Sequence, residues 1–146
     1  MPQNPSSLPI SSSCWLVRSR RSPGEARGHL SRLLSAAPGG ELFIDHGELV
    51  VSELVTNAIV HGTPIGNRVW LSLSLSPSRL RIEVHDARRD REPILQSSSA
   101  EEESGRGLLL VKSLSERWGC CPRLPIGKIV WAEIAPAVSA GSECVA

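Results

Sequence analysis

The run from Val69 to Val84 alternates almost without interruption. Val69, Leu71, Leu73 and Leu75 point one way and serines mostly the other; beyond Ser76-Pro77-Ser78, Leu80, Ile82 and Val84 alternate with Arg81, Glu83 and His85. A period of two is the signature of extended strand, and Ser-Pro-Ser between two such runs reverses the chain. The product is an antiparallel hairpin with one apolar and one polar face. Whatever else the chain builds must cover one side of a sheet and leave the other open.

Two helical segments can supply that cover. Ser22-Pro-Gly-Glu25 reads as a helix start, with Ser22 as N-cap, proline at the first helical position and Glu25 at the third. This helix is expected to reach about Ala36, with Ala26, Leu30, Leu33 and Leu34 inward, and to stop at Pro38-Gly39-Gly40. The second, Glu48 to Gly62, has Val50, Leu54 and Ala58 on one ridge and Val51, Val55 and Ile59 on the next. Asp45 is its expected N-cap, with Glu48 completing a capping box, and Gly62-Thr63-Pro64 its stop. On a separate strip, Glu53, Asn57 and His61 follow one another at intervals of four. At about 100° per residue such positions stack with only about 40° of drift per step, so a carboxylate, an amide and an imidazole project together.

The rest of the chain fits around these pieces. Residues 1–13, with Pro2, Pro5, Pro9 and five serines, read as a disordered leader. Cys14–Arg18 reads as an edge strand, and Arg18, Arg20 and Arg21 as a solvated loop. A polar, aperiodic stretch of about 87–104 reads as a lid. Gly105 to Gly119 reads as a glycine turn opening a helix that Gly119 closes. A short run around Cys120–Arg123, a turn at Pro125–Gly127 and a strand Lys128–Ile134 complete a domain of 14–135, and 136–146 reads as a flexible tail. Helices segregated from mostly consecutive strands predict an α+β fold, a two-layer α/β sandwich with helices on one face of a mixed, mostly antiparallel sheet.

Composition removes several functions. The 146 residues suit one domain, 40% hydrophobic and 21% charged, with no apolar run long enough to span a membrane. The N-terminus lacks the basic-then-apolar order of a signal peptide, so a cytoplasmic location is expected. A net charge of +1 offers no basic excess for nucleic acid. Cys14, Cys120, Cys121 and Cys144 lack CxxC spacing and nearby histidine pairs, so zinc is not expected.

Three segments carry chemistry: the Glu53/Asn57/His61 strip, Asp86 where the chain leaves the hairpin, and Gly105-Arg106-Gly107 at a helix start. Backbone amides at such a start form an anion site suited to phosphates. In this order the segments resemble the ATP-binding domain of the Bergerat-fold superfamily, shared by histidine kinases, DNA gyrase and heat-shock chaperones. The small stand-alone branch of anti-sigma-factor serine kinases is the most similar. Glu53-Leu-Val-Thr-Asn57-Ala-Ile-Val-His61-Gly62 resembles the N box, Val84-His85-Asp86 the start of the G1 box, and Gly105-Arg106-Gly107-Leu108-Leu-Leu-Val111 the G2 box. Gly127-Lys-Ile-Val-Trp-Ala-Glu133 is similar to that branch's last strand, and the likeness spans roughly 14–135.

The resemblance implies roles. Asn57 would hold Mg²⁺, Glu53 would be the general base, and Asp86 would accept a hydrogen bond from the adenine amino group. Gly105, Gly107 and Leu108 would wrap the triphosphate, while His61 and Arg106 would meet phosphate oxygens. It implies ATP and Mg²⁺ as cofactors and a protein partner: a sigma factor, an anti-sigma antagonist or another transcription regulator. Relatives of that branch often pair through the edge strand, which implies a homodimer through the strand carrying Trp15. One departure stands out: Asp86 is followed by Ala87-Arg88-Arg89-Asp90 where the family has glycines at alternate positions. Two functions stay open, a serine kinase acting on a partner and a non-catalytic protein-binding switch.

Overall fold

The computed structural model describes residues 10–62, 67–86, 102–123 and 127–138. The elements run β1 (Ile10–Val17), α1 (Ser22–Ser35), a 3₁₀ turn (Gly40–Phe43), α2 (Ile44–Asn57), a π turn (Ala58–Gly62), β2 (Arg68–Ser76), β3 (Arg79–Asp86), α3 (Glu102–Leu114), β4 (Arg117–Pro122) and β5 (Lys128–Ile134). The strands form one sheet in the order β1-β2-β3-β5-β4. This is the α+β sandwich the sequence predicts, with one correction. Every strand pair is antiparallel, so the sheet is not mixed. The cause is connectivity: α3 and β4 intervene between β3 and β5, and β5 returns to lie between its two neighbours rather than beside β4 alone.

The alternation in β2 and β3 is what sets the layers. Val69, Leu71, Leu73, Leu75, Leu80, Ile82 and Val84 are buried under the helices, joined by Val130, Ala132 and Ile134 of β5. Each valine, leucine or isoleucine side chain so removed from water contributes roughly 1.5–3 kcal/mol. α1 packs on β1 and β2, α2 on β3 and β5, and α3 on α2 and β4. Ala26, Leu30, Leu33 and Leu34 of α1 face this core as expected, as do Val50, Val51, Leu54 and Val55 of α2.

Among the described residues no helix lies against the other face of the sheet. Trp15 of β1 meets Trp70 of β2 edge-on, ring centroids 4.8 Å apart, with the Arg68 guanidinium 5.3 Å from the Trp15 ring. Further along, Glu133 draws Arg117 (2.7 Å), Arg81 (3.5 Å) and Arg79 (3.6 Å) around one carboxylate. Arg81 lies 4.5 Å from the Trp131 ring centroid.

Several boundaries differ from expectation. β1 begins at Ile10, not Cys14, because Ser11 and Ser13 pair with Ser74 and Ser72 of β2 on the open face, where serine is at home; residues 1–9 lie outside the described residues. Ser22 does not cap α1: Arg21 holds the cap position, and the Ser22 hydroxyl donates to Val17 O, tying the helix to β1. Asp45 does not cap α2 either, since the 3₁₀ turn leads straight in and Phe43 takes that position. α3 starts at Glu102, so Gly105 and Gly107 stand inside the helix rather than before it. It ends at Leu114, and Gly119 belongs to β4. Ala137 donates its N–H to Leu42 O at 2.8 Å, which anchors the start of the segment read as tail. Of the lid expected at about 87–104, residues 102–104 belong to the first turn of α3 instead; residues 87–101, the stop at Thr63-Pro64, the turn at Pro125 and the tail beyond 138 lie outside the described residues.

Candidate functional site

The site is built where α2 ends, above the ends of β3 and β5. Glu53 and Asn57 keep their α-helical stacking, one turn apart and both half-buried. The chain then widens into the π turn, which also packs on β3. Single π turns interrupt α-helices most often at functional positions. Here the turn carries the half-buried His61 off the strip that strict α spacing would continue. Arg18, from the loop after β1, donates its Nε–H to Ile59 O at 3.2 Å and so satisfies one carbonyl of the turn.

Glu53 lies against α3. A β-carbon at Gly107 would collide with Glu53 Oε2 and stand 3.3 Å from Cδ, so the carboxylate rests on bare helix backbone. A side chain at position 107 would push the flexible end of Glu53 off that backbone. Burial pushes the Glu53 carboxyl above its ordinary value, because the charged form loses water there. Leu108, the next residue, is buried. Gly105 closes the first turn of α3, just after the residues whose amides have no partner within the helix. The Arg106 side chain lies outside the described part.

Asp86 ends β3 on its inward side, in phase with Leu80, Ile82 and Val84, and is 1% exposed. Its register partner is Lys128, the first residue of β5, also on the inward side and buried. Lys128 Nζ stands 3.6 Å from Asp86 Oδ2. In the sequence Lys128 reads only as the opening of a strand. Its signal was parity: Lys128 is in step with Val130, Ala132 and Ile134, which places a charge on a face otherwise apolar.

Glu53 and Gly107 are thus brought into contact, and Asp86 and Lys128 into an ion pair; α2 packs on the two strands that carry that pair. Among the described residues no set of three His, Cys, Asp or Glu side chains could hold a metal ion. Asn57 and Glu53 offer the oxygen donors a hard cation takes, but too few to hold one without further oxygens.

A partly buried carboxylate, an amide one turn on, and a charged pair at the sheet end are the furniture of a nucleotide-binding α+β domain. The family comparison agrees: the histidine kinase-like ATPase domain matches residues 19–132, and the chain belongs to that family. It is thereby one of the ATP-binding regulatory domains of this class. No curated protein matches the chain. Among the described residues no helix is long and apolar enough to cross a membrane.

Proposed function

We propose that the protein is a cytoplasmic, Mg-ATP-dependent serine kinase of the anti-sigma type, controlling transcription by phosphorylating a protein partner. The observation that supports this best is the Glu53–Gly107 contact. It brings α2 and α3 together around a carboxylate whose proton affinity is raised by burial. A base must hold a proton well enough to take it from a hydroxyl, and a raised carboxyl moves toward that requirement.

In the proposed reaction the serine hydroxyl oxygen of the partner bonds to the γ-phosphorus while the bond from that phosphorus to the β,γ-bridging oxygen breaks. ADP leaves, and the hydroxyl proton passes to Glu53. Mg²⁺, when bound, neutralises charge on the phosphates. Asn57 would supply its protein oxygen, the amides of the first turn of α3, ahead of Gly105, would take phosphate oxygens, and Asp86 would accept from the amino group of adenine. His61 and Arg106 would add positive charge at the phosphates.

A non-catalytic switch is the second reading. It is favoured by the sequence Ala87-Arg88-Arg89-Asp90, in which two bulky cations follow Asp86 where the family has glycines.

Isothermal titration with ATP and with GTP, each with and without Mg²⁺, tests the proposal. Mg-dependent binding of ATP but not GTP is expected, weakened at least tenfold in Asn57→Ala and retained in Glu53→Ala. Glu53→Ala should lower phosphate transfer by about 10²–10⁴-fold. Full transfer by Glu53→Ala would remove Glu53 as the base. Failure of ATP to bind at all would remove the nucleotide site.

A further inference from the structure

The inward face of the sheet is apolar along β3 and β5 until its end, where Asp86 and Lys128 face each other across one register position. Burying two charges is expensive, and an apolar pair of similar size in that place is often as stable or more so. A fold has no packing need for this pair. The two also present different chemistry side by side: a carboxylate only accepts hydrogen bonds, and an ammonium only donates them, through three N–H groups.

We infer that Lys128 is a specificity-determining residue of the nucleotide site, donating to ring nitrogen N1 of adenine while Asp86 accepts from the neighbouring amino group. This rests on the nucleotide-binding proposal above and goes a step further, since that proposal gives Lys128 no role. The chemistry is complementary at both atoms. Adenine presents a donor at position 6 beside an acceptor at position 1, matching an acceptor beside a donor on the protein. Guanine presents the reverse order, an oxygen acceptor at 6 and an N–H donor at 1. Set against the same pair, it turns an oxygen toward the Asp86 carboxylate and a hydrogen toward the Lys128 ammonium. Discrimination of this kind leaves buried polar groups unpaired for the wrong base, which is why it can be large.

The test replaces one atom of the ligand. In 1-deaza-ATP a C–H stands where adenine has N1, while the amino group, sugar and phosphates are retained. Titrating the wild-type chain with ATP and with 1-deaza-ATP should show a loss of roughly 10- to 100-fold for the analogue, the size of a hydrogen bond from a charged donor. In Lys128→Met, ATP should weaken and the difference between the two ligands should shrink to about twofold or less. Lys128→Arg keeps a cationic donor and should keep a preference for ATP. If wild-type protein binds ATP and 1-deaza-ATP equally, Lys128 does not read the base, although the nucleotide site itself stands. If Lys128→Met folds and still discriminates as wild type does, the inference falls in the same way. If neither nucleotide binds the wild-type chain, this inference and the proposal beneath it fall together. The wild-type comparison decides the matter even where Lys128→Met does not fold.

Discussion

At the scale of the residue, Glu53 carries two opposed properties. Burial holds its carboxyl above the ordinary value, so the native chain keeps a proton over a pH range where the unfolded chain has lost it. Stability therefore falls as pH rises through that range and is greater below it. Glu53→Gln keeps the shape and removes the charge. It should raise Tm at pH 7 and lose that advantage below about pH 4, where the carboxyl is protonated in both states. Thermal melts of the two proteins across that range check this, and a lower Tm for the variant at pH 7 would contradict it. On the kinase proposal, the same variant should also lose phosphate transfer, and the stability cost at Glu53 would be the compromise common at catalytic sites.

At the scale of the element, β2 and β3 were legible in full, because alternation is a local property and their two faces meet different surroundings. α1 and α2 were legible in their inward faces but not at their starts, since Ser22 and Asp45 look like caps in the sequence while a tertiary bond and a 3₁₀ turn take over their roles. Of the site, the spacing of Glu53 and Asn57 could be read from the helix period. The meeting of Glu53 with Gly107 could not, being a contact between helices with no local trace. Gly119 is the instructive miss. A glycine after a helical run reads as a helix end, yet it lies in β4 because the Trp131 ring crosses it; a β-carbon there would stand 2.9 Å from Trp131 Cζ2. Strand glycines often mark such close approach. Gly119→Val should therefore destabilise by about 1–3 kcal/mol in spite of its better strand propensity. Gly119→Val with Trp131→Ala should recover part of that loss, measured by denaturant unfolding.

At the scale of the whole molecule, the open face of the sheet is held by side chains rather than by a second layer. Glu133, buried although it points away from the helices, is the centre of that arrangement, with three guanidiniums around it. Glu133→Ala leaves those cations facing one another. The Arg117 arm is mostly exposed and screened by water, so most of the loss should come through Arg79 and Arg81. We expect about 1–2 kcal/mol, read as a lower midpoint in urea with unchanged slope. Nearby, burial pushes Glu83 up, but the hydrogen bonds and charges of Arg81 and His85 outweigh it and hold the carboxyl below its ordinary value. Its contribution is thus present at neutral pH and lost as acid protonates it.

The strand order also bears on how the molecule is made. β5 belongs between β3 and β4, but α3 and β4 leave the ribosome before it. During that interval the side of β3 away from β2 is a bare edge on a strand with one apolar face, which is the kind of surface on which chains join one another wrongly. Insertion of β5 closes that edge and in the same movement brings Lys128 to Asp86. A nascent chain of this protein thus has a vulnerable period with a defined end, and the strand that ends it also completes the buried ion pair at the end of the sheet.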